Sequence, residues 1–151
     1  MPMQSLALPD FEPQLRRHKN GQLSIFDVIR RKFVVLTPEE WVRQHIVHFL
    51  LGKGYPKGLM QIERMHQQHA LRKRSDILVF NRKGAPHLLV ECKSPYLALN
   101  EAMLRQVLIY NQHFQAPLVM LSNGLVHHYW KRSTDAADYQ ALSDLPDFSA
   151  P

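Results

Sequence analysis

Three charged residues stand at the ends of two apolar segments. Asp76 opens "SDILVF", and Glu91 and Lys93 close "HLLVECKS", with "RKGAP" between them. Side chains alternate across an extended strand, so Glu91 and Lys93 share a face and Cys92 points the other way. If residues 75–81 and 87–93 pair through a turn centred near Gly84 and Ala85, position 76 falls roughly opposite position 93. Asp76 then comes close to Glu91. Two carboxylates that near each other repel unless a cation lies between them. The donors would all be oxygens, from Asp76, Glu91 and the main-chain carbonyl of Cys92, which favours Mg²⁺ or Mn²⁺. A metal held there can polarise a phosphodiester and help generate hydroxide. Lys93 is placed to position the attacking water or to take up charge on the phosphate. The competing reading is a carboxylate–lysine salt-bridge cluster at a sheet rim, and spacing alone does not separate the two.

These residues must be positioned by the elements around them. Residues 13–27 read as a hairpin around the turn pair Asn20-Gly21. "DVIRRKFVVLTPEEW" leads into a helix that Thr37 can cap, with Pro38 in its first turn and Glu39 and Glu40 at its positive end. That helix is expected to run to Leu51, with Val42, Ile46, Phe49 and Leu50 on one face. Residues 59–66 read as a strand, and the two quoted segments follow as two more. Asn100 can cap a second helix, "EAMLRQVLIYNQHF", with Met103, Leu104, Val107 and Leu108 on its apolar face. "PLVMLS", Asn123-Gly124 and "LVHHYW" form a second hairpin. The expected architecture is one α/β domain, a central mixed sheet flanked by helices.

With the elements in this order, the chain resembles the catalytic core of the PD-(D/E)xK nuclease superfamily through "SDILVF…LLVECKS". Residues 24 to about 130 resemble the N-terminal nuclease domain of type I restriction enzyme R subunits in a short stand-alone form. The matching pieces are "FDVIRRKFVVLTPEEWVRQHIVHFL", "RKRSDILVF", "LLVECKSP", "RQVLIYNQ" and "VMLSNG". The resemblance implies a restriction-endonuclease-like core of αβββαβ order, with an N-terminal hairpin extension. It assigns Asp76 and Glu91 as metal ligands and Lys93 as the catalytic lysine, with Ser75 where the name motif has proline. It matches Gln106 and Tyr110 to a Gln-x-x-x-Tyr motif on the helix after the lysine strand. It also implies an accessory glutamate from the first helix. Glu39 shares the face of Val42, Ile46 and Phe49, whereas Glu40 points more sideways, so Glu39 is the better placed of the two.

The net charge of +6 is unevenly distributed. All 19 Lys and Arg residues lie at or before Arg132, and four of the 13 acidic residues follow it, so the body carries +10 and the tail −4. A basic body suits an acidic polymer such as DNA. Arg72, Lys73 and Arg74, just before Asp76, and Arg30 and Arg31 are the candidate contacts to the nucleic-acid backbone. Solvated surface charge is the alternative for any one of them. His66, His69 and the His127-His128 pair lack the spacing of a structural zinc site. Cys92 is the only cysteine, which excludes an internal disulfide and fits a reducing cytoplasm. No apolar run is long enough to span a bilayer, so no membrane is expected. The sequence contains no GxxxxGK[ST] phosphate loop and leaves no room for a helicase motor.

The expected organisation is an N-terminal extension over 1–23, a nuclease-like domain over 24–132 and an acidic, loosely ordered tail over 133–151. The expected activity is metal-dependent hydrolysis of DNA phosphodiesters. A non-cleaving nucleic-acid-binding module of the same fold is the alternative. DNA is the expected partner, and a second copy of the chain and other restriction-modification or repair subunits are further candidates.

Overall fold

The computed structural model describes residues 3–62, 76–134 and 138–149. The chain opens with a three-stranded antiparallel sheet: β1 (Leu15–Arg17), β2 (Leu23–Asp27) and β3 (Lys32–Val35). Helix α1 (Pro38–Gly52) follows, and then a 3₁₀ turn, Lys57–Leu59. A six-stranded sheet then forms in the order β4 (Met60–Ile62), β5 (Ile77–Phe80), β6 (Pro86–Cys92), β7 (Leu118–Ser122), β8 (His127–Arg132) and β9 (Tyr139–Leu142). Helix α2 (Glu101–Phe114) joins β6 to β7, which pair in parallel, whereas the other neighbours among the described strands are antiparallel. The described residues thus form a mixed α/β protein with a central mixed sheet and two α-helices, compatible with a nuclease-like fold.

Alternation along the strands sorts the core into two layers. Val42, Ile46, Val47 and Leu50 of α1 pack with Ile77, Val79, Leu88, Val90, Cys92 and Met120. Val107 of α2 packs with the intervening residues Leu78, Leu89, Val119 and Leu121. Both helices start as their sequences dictate. The Thr37 hydroxyl accepts from the Glu40 N–H at 3.0 Å, and the Asn100 side-chain oxygen Oδ1 accepts from the Met103 N–H at 2.9 Å. α2 ends at Gln115, in left-handed geometry with φ 54°.

Three features differ from the sequence-based expectation, and a fourth lies partly outside the described residues. The run after the first hairpin does not lead straight into α1. Lys32–Val35 turns back and pairs with β2, because Asp27 accepts from the Ile29 and Arg30 N–H groups and closes a tight turn. A boundary at residues 23 and 24 therefore falls at the first residues of β2. The strand expected over 59–66 is described only as Met60–Ile62, since residues 63–75 lie outside the described residues. The acidic tail is packed where it is described. β9 pairs with β8, Leu145 is buried, and the Phe148 ring lies 5.4 Å from that of Tyr55. Phe148 N–H donates to the Lys53 carbonyl, and the Tyr55 hydroxyl donates to that of Pro146. Apolar residues between the aspartates supply this packing, which net charge does not reveal.

The N-terminal segment is strapped across the end of the β7–β8 hairpin. Ala7 N–H donates to the Gly124 carbonyl at 2.8 Å. His127 Nε2 donates to the Ala7 carbonyl at 2.7 Å, which leaves Nδ1 to accept from the Ser122 hydroxyl at 2.7 Å. Gly124 lies at φ 86°, and a Cβ added there would meet Leu6 Cδ2 at 2.9 Å and Val42 Cγ2 at 3.1 Å. Gly84 has nearly the same backbone, φ 85°, with open space around it. Gly84→Ala should therefore cost about 1 kcal/mol, the left-handed penalty alone. Gly124→Ala should cost about 2–4 kcal/mol, because overpacking adds to that penalty. Urea denaturation of the two variants beside the wild type measures the difference, and equal losses would show that the strap tolerates the extra carbon.

Candidate active site

The site forms where β5 begins and β6 ends. Ile77 pairs with Val90 and the Asp76 N–H donates to the Val90 carbonyl, so position 76 lies opposite 91 rather than 93. The two-residue difference arises at the far end of the hairpin. There Phe80 pairs with Pro86, which centres the turn at Lys83 rather than between Gly84 and Ala85, and a one-residue bulge at Val79/Phe80 recovers one position of that displacement. Because the shift is an even number of residues, both registers bring the same charged groups together.

Asp76 is almost fully enclosed, at 3% exposure. One carboxylate oxygen accepts from the Cys92 main-chain N–H at 2.7 Å, and the other accepts from the Arg43 guanidinium of α1. Glu91 and Lys93 sit closer to solvent, with their carboxylate and ammonium 3.2 Å apart. Burial pushes the Glu91 carboxyl above its ordinary value; the Lys93 charge opposes the shift, and the nearby charges of Asp76 and Glu39 add to it. Glu91 thus lies within electrostatic reach of two further carboxylates. Lys93 is fixed through its backbone, because its N–H donates to the Ser122 carbonyl of the parallel neighbour β7 at 2.8 Å.

Arg43 ties this cluster to α1. Its Nη2 donates to Glu39 at 2.9 Å and to Asp76, and its Nη1 donates to Glu40 at 2.7 Å. Burial disfavours the charged guanidinium, but the charges of Asp76 and Glu40 outweigh that cost and hold its pKa above the ordinary value. Glu40 also accepts from Arg30 and Gln44, each at 2.8 Å. Arg30 and Gln44 in turn donate to Asp27, at 2.6 and 3.1 Å.

The structure therefore brings Asp76, Glu91, Lys93 and Glu39 to one place. It reverses the expected burial of the two helix-start glutamates. Glu40 is buried, because the N-terminal sheet supplies Arg30 beside it, while the Glu39 side chain keeps 35% exposure. Arg30 is engaged with Asp27 and Glu40, which removes it from a free basic surface. Arg31 is exposed in the β2–β3 turn at φ 58°. Arg72, Lys73 and Arg74 lie outside the described residues. On α2, Gln106 is exposed and Tyr110 is half-buried against the core around Val107, with its ring 5.4 Å from that of Phe114. Cys92 faces the α1 layer, and burial pushes its thiol well up, so it contributes no thiolate.

Sequence reasoning passed over Arg43 and Asp27. The signal for Arg43 was present: glutamates three and four residues before an arginine, on a helix turn next to Val42 and Ile46. Asp27 is marked locally only as a turn residue paired with Arg30, while its partner Gln44 comes from another element.

Among the described residues, no three His, Cys, Asp or Glu side chains form a group that could hold a metal ion. Two carboxylates with a main-chain carbonyl are a smaller donor set, and an all-oxygen set is the kind that hard cations such as Mg²⁺ take. Among the described residues, Asp27, Glu39, Glu40, Asp76 and Glu91 are linked with Arg30, Arg43 and Lys93 in one charged cluster. No helix among the described residues is long and apolar enough to cross a membrane.

The family model described as type I restriction enzyme R protein N terminus matches residues 38–146, from the start of α1 to beyond β9. No curated protein matches the chain.

The Asp27 carboxylate offers a test of the network by pH. Burial raises its pKa, but hydrogen bonds from the Arg30 N–H and guanidinium, the Arg30 charge and Gln44 together bring it below the ordinary 3.8. A lowered carboxylate pKa stabilises the fold above the unfolded value, and that contribution is lost as pH falls through the folded value. Asp27→Asn should lower unfolding stability by about 1–3 kcal/mol at pH 7. The gap to wild type should close as pH drops below about 4. Denaturant melts from pH 7 to pH 3 measure it, and a gap independent of pH would contradict the assignment.

Proposed function

The chain belongs to the family of the type I restriction enzyme R protein N terminus, and from that membership we propose a metal-dependent nuclease of PD-(D/E)xK type that hydrolyses DNA phosphodiester bonds. The observation that carries this reading is the convergence of Asp76, Glu91 and Lys93 at one end of the central sheet, with Glu39 beside them. Asp76 and Glu91, with the Cys92 main-chain carbonyl, would hold Mg²⁺ or Mn²⁺. That ion, when bound, would polarise the phosphodiester and lower the pKa of an attacking water. Lys93 would orient the water or stabilise charge on the phosphate, its ammonium held by Glu91. Glu39 is the accessory acid of this reading, while Glu40 keeps Arg43 in place. Gln106 and Tyr110 would support the substrate from α2, and Arg31 with Arg72, Lys73 and Arg74 would contact the nucleic-acid backbone. DNA is the proposed partner in the cytoplasm, with a second copy of the chain and restriction-modification or repair subunits as further partners.

One observation favours the alternative, a nucleic-acid-binding module that does not cut. Arg43 and Lys93 already partner Asp76 and Glu91, so the acids hold cationic company without a metal. Purified protein with Mg²⁺ or Mn²⁺ on single- and double-stranded DNA and RNA separates the two readings. The nuclease should lose roughly 100- to 1000-fold in rate in Glu91→Ala and Lys93→Ala. Equal cleavage by all three proteins would sink the site. Salt-sensitive binding without metal-dependent cleavage would establish the module instead.

A further inference from the structure

The family match begins at residue 38, yet the charged network of the site does not. Asp27 ends β2 and Arg30 lies in the turn after it. One Asp27 oxygen accepts from the Ile29 and Arg30 N–H groups at 2.7 and 3.0 Å, so the carboxylate is locked to its own turn. Its other oxygen holds the Arg30 guanidinium, which reaches Glu40 of α1. The second Glu40 oxygen takes Arg43, and Arg43 takes Asp76. An unbroken series of charge-assisted hydrogen bonds thus runs from the N-terminal sheet to the carboxylate deepest in the site.

We propose that the three-stranded N-terminal sheet is a working part of the site, and that Arg43 is the positioning residue through which it acts. This rests on the nuclease reading above. Arg43 is only 7% exposed, and its planar fork meets Glu39, Glu40 and Asp76 at once. A lysine carries the same charge but lacks the two-pronged geometry. Asp76 has little freedom while the fork and the Cys92 N–H hold its two oxygens. The carboxylate is then presented in one orientation before any ion arrives. Without Arg30, that Glu40 oxygen keeps Gln44 but loses its charged partner, and the anchor of the fork is loosened. Residues before the family's span therefore set the geometry of ligands within it.

Arg43→Lys in the full chain tests this, because it preserves charge and removes the fork. Mn²⁺ binding by calorimetry is the readout, with thermal melting as a check on folding. Arg43→Lys should bind Mn²⁺ about 10- to 100-fold more weakly. Cleavage should lose kcat while KM for DNA stays the same. Arg30→Gln, which touches neither Asp76 nor Glu91, should bind about 3-fold more weakly or worse, a smaller loss than for a direct ligand partner. Folded Arg43→Lys with wild-type Mn²⁺ affinity overturns the role of Arg43. If Arg43→Lys does not fold, Arg30→Gln decides: unchanged affinity there overturns the proposal. A wild-type chain that binds no Mn²⁺ overturns the nuclease reading and this inference together. Wild-type binding matched by both variants overturns this inference alone.

Discussion

A carboxylate taken out of water must be given partners, and much of this structure's arrangement follows from how Asp76 gets them. Burying an unpaired charge costs several kcal/mol or more, so Asp76 at the start of β5 cannot be left to itself. Arg43 answers that need from α1 and the Cys92 N–H from β6. Arg43 is then itself a buried charge, and Glu39 and Glu40 share it. Glu40 in turn requires Arg30 and Gln44, and Arg30 requires Asp27. Each solution creates the next demand until the network reaches the partly exposed Arg30 side chain. Such a network is weak evidence for stability, because apolar packing could fill the same volume. It makes better sense as the cost of keeping an acid in a fixed place.

The sheet explains why that place is at a strand end. β6 and β7 run parallel, with α2 crossing between them, so both strands deliver their C-terminal ends to one edge of the sheet. Lys93 leaves β6 there and is tied to Ser122 of β7. In open α/β sheets, the crevice beyond the carboxyl ends of parallel strands is where ligands bind. The hairpin from β5 to β6 brings Asp76 back to that edge, opposite Glu91. The two apolar layers lie behind it, α1 on one and α2 on the other. Glu39, Glu91 and Lys93 keep partial exposure on the side where a substrate could approach, while Asp76 and Glu40 lie deeper.

Much of the fold was legible where local rules act alone. Thr37 and Asn100 cap the helices they were expected to cap, and Asn20-Gly21 and Asn123-Gly124 sit in the turns they mark. Apolar runs bounded by turn residues identified β5, β6 and β7. β3 was missed because Lys32–Val35 is short and its pairing depends on the Asp27 turn. β9 was missed because four aspartates dominate a segment whose Leu142, Leu145 and Phe148 do the packing. Family resemblance adds what pattern could not, and the match over residues 38–146 supports it independently.

By itself, the sequence determined which residues could do chemistry, Asp76, Glu91 and Lys93, and that a hairpin would carry them to one end of a sheet. The strand period of two places them on a shared face whether position 76 lies opposite 91 or 93. Only the tertiary structure decided the register, the exchange of burial between Glu39 and Glu40, and the place of Arg43 among three carboxylates. Helical periodicity reports a residue's angle around its own axis and nothing of what packs there. Glu40 is enclosed because Arg30 and Gln44 converge on it, ten residues before and four after. Arg43 meets Asp76 across 33 residues of chain, a pairing that only the folded core brings within reach.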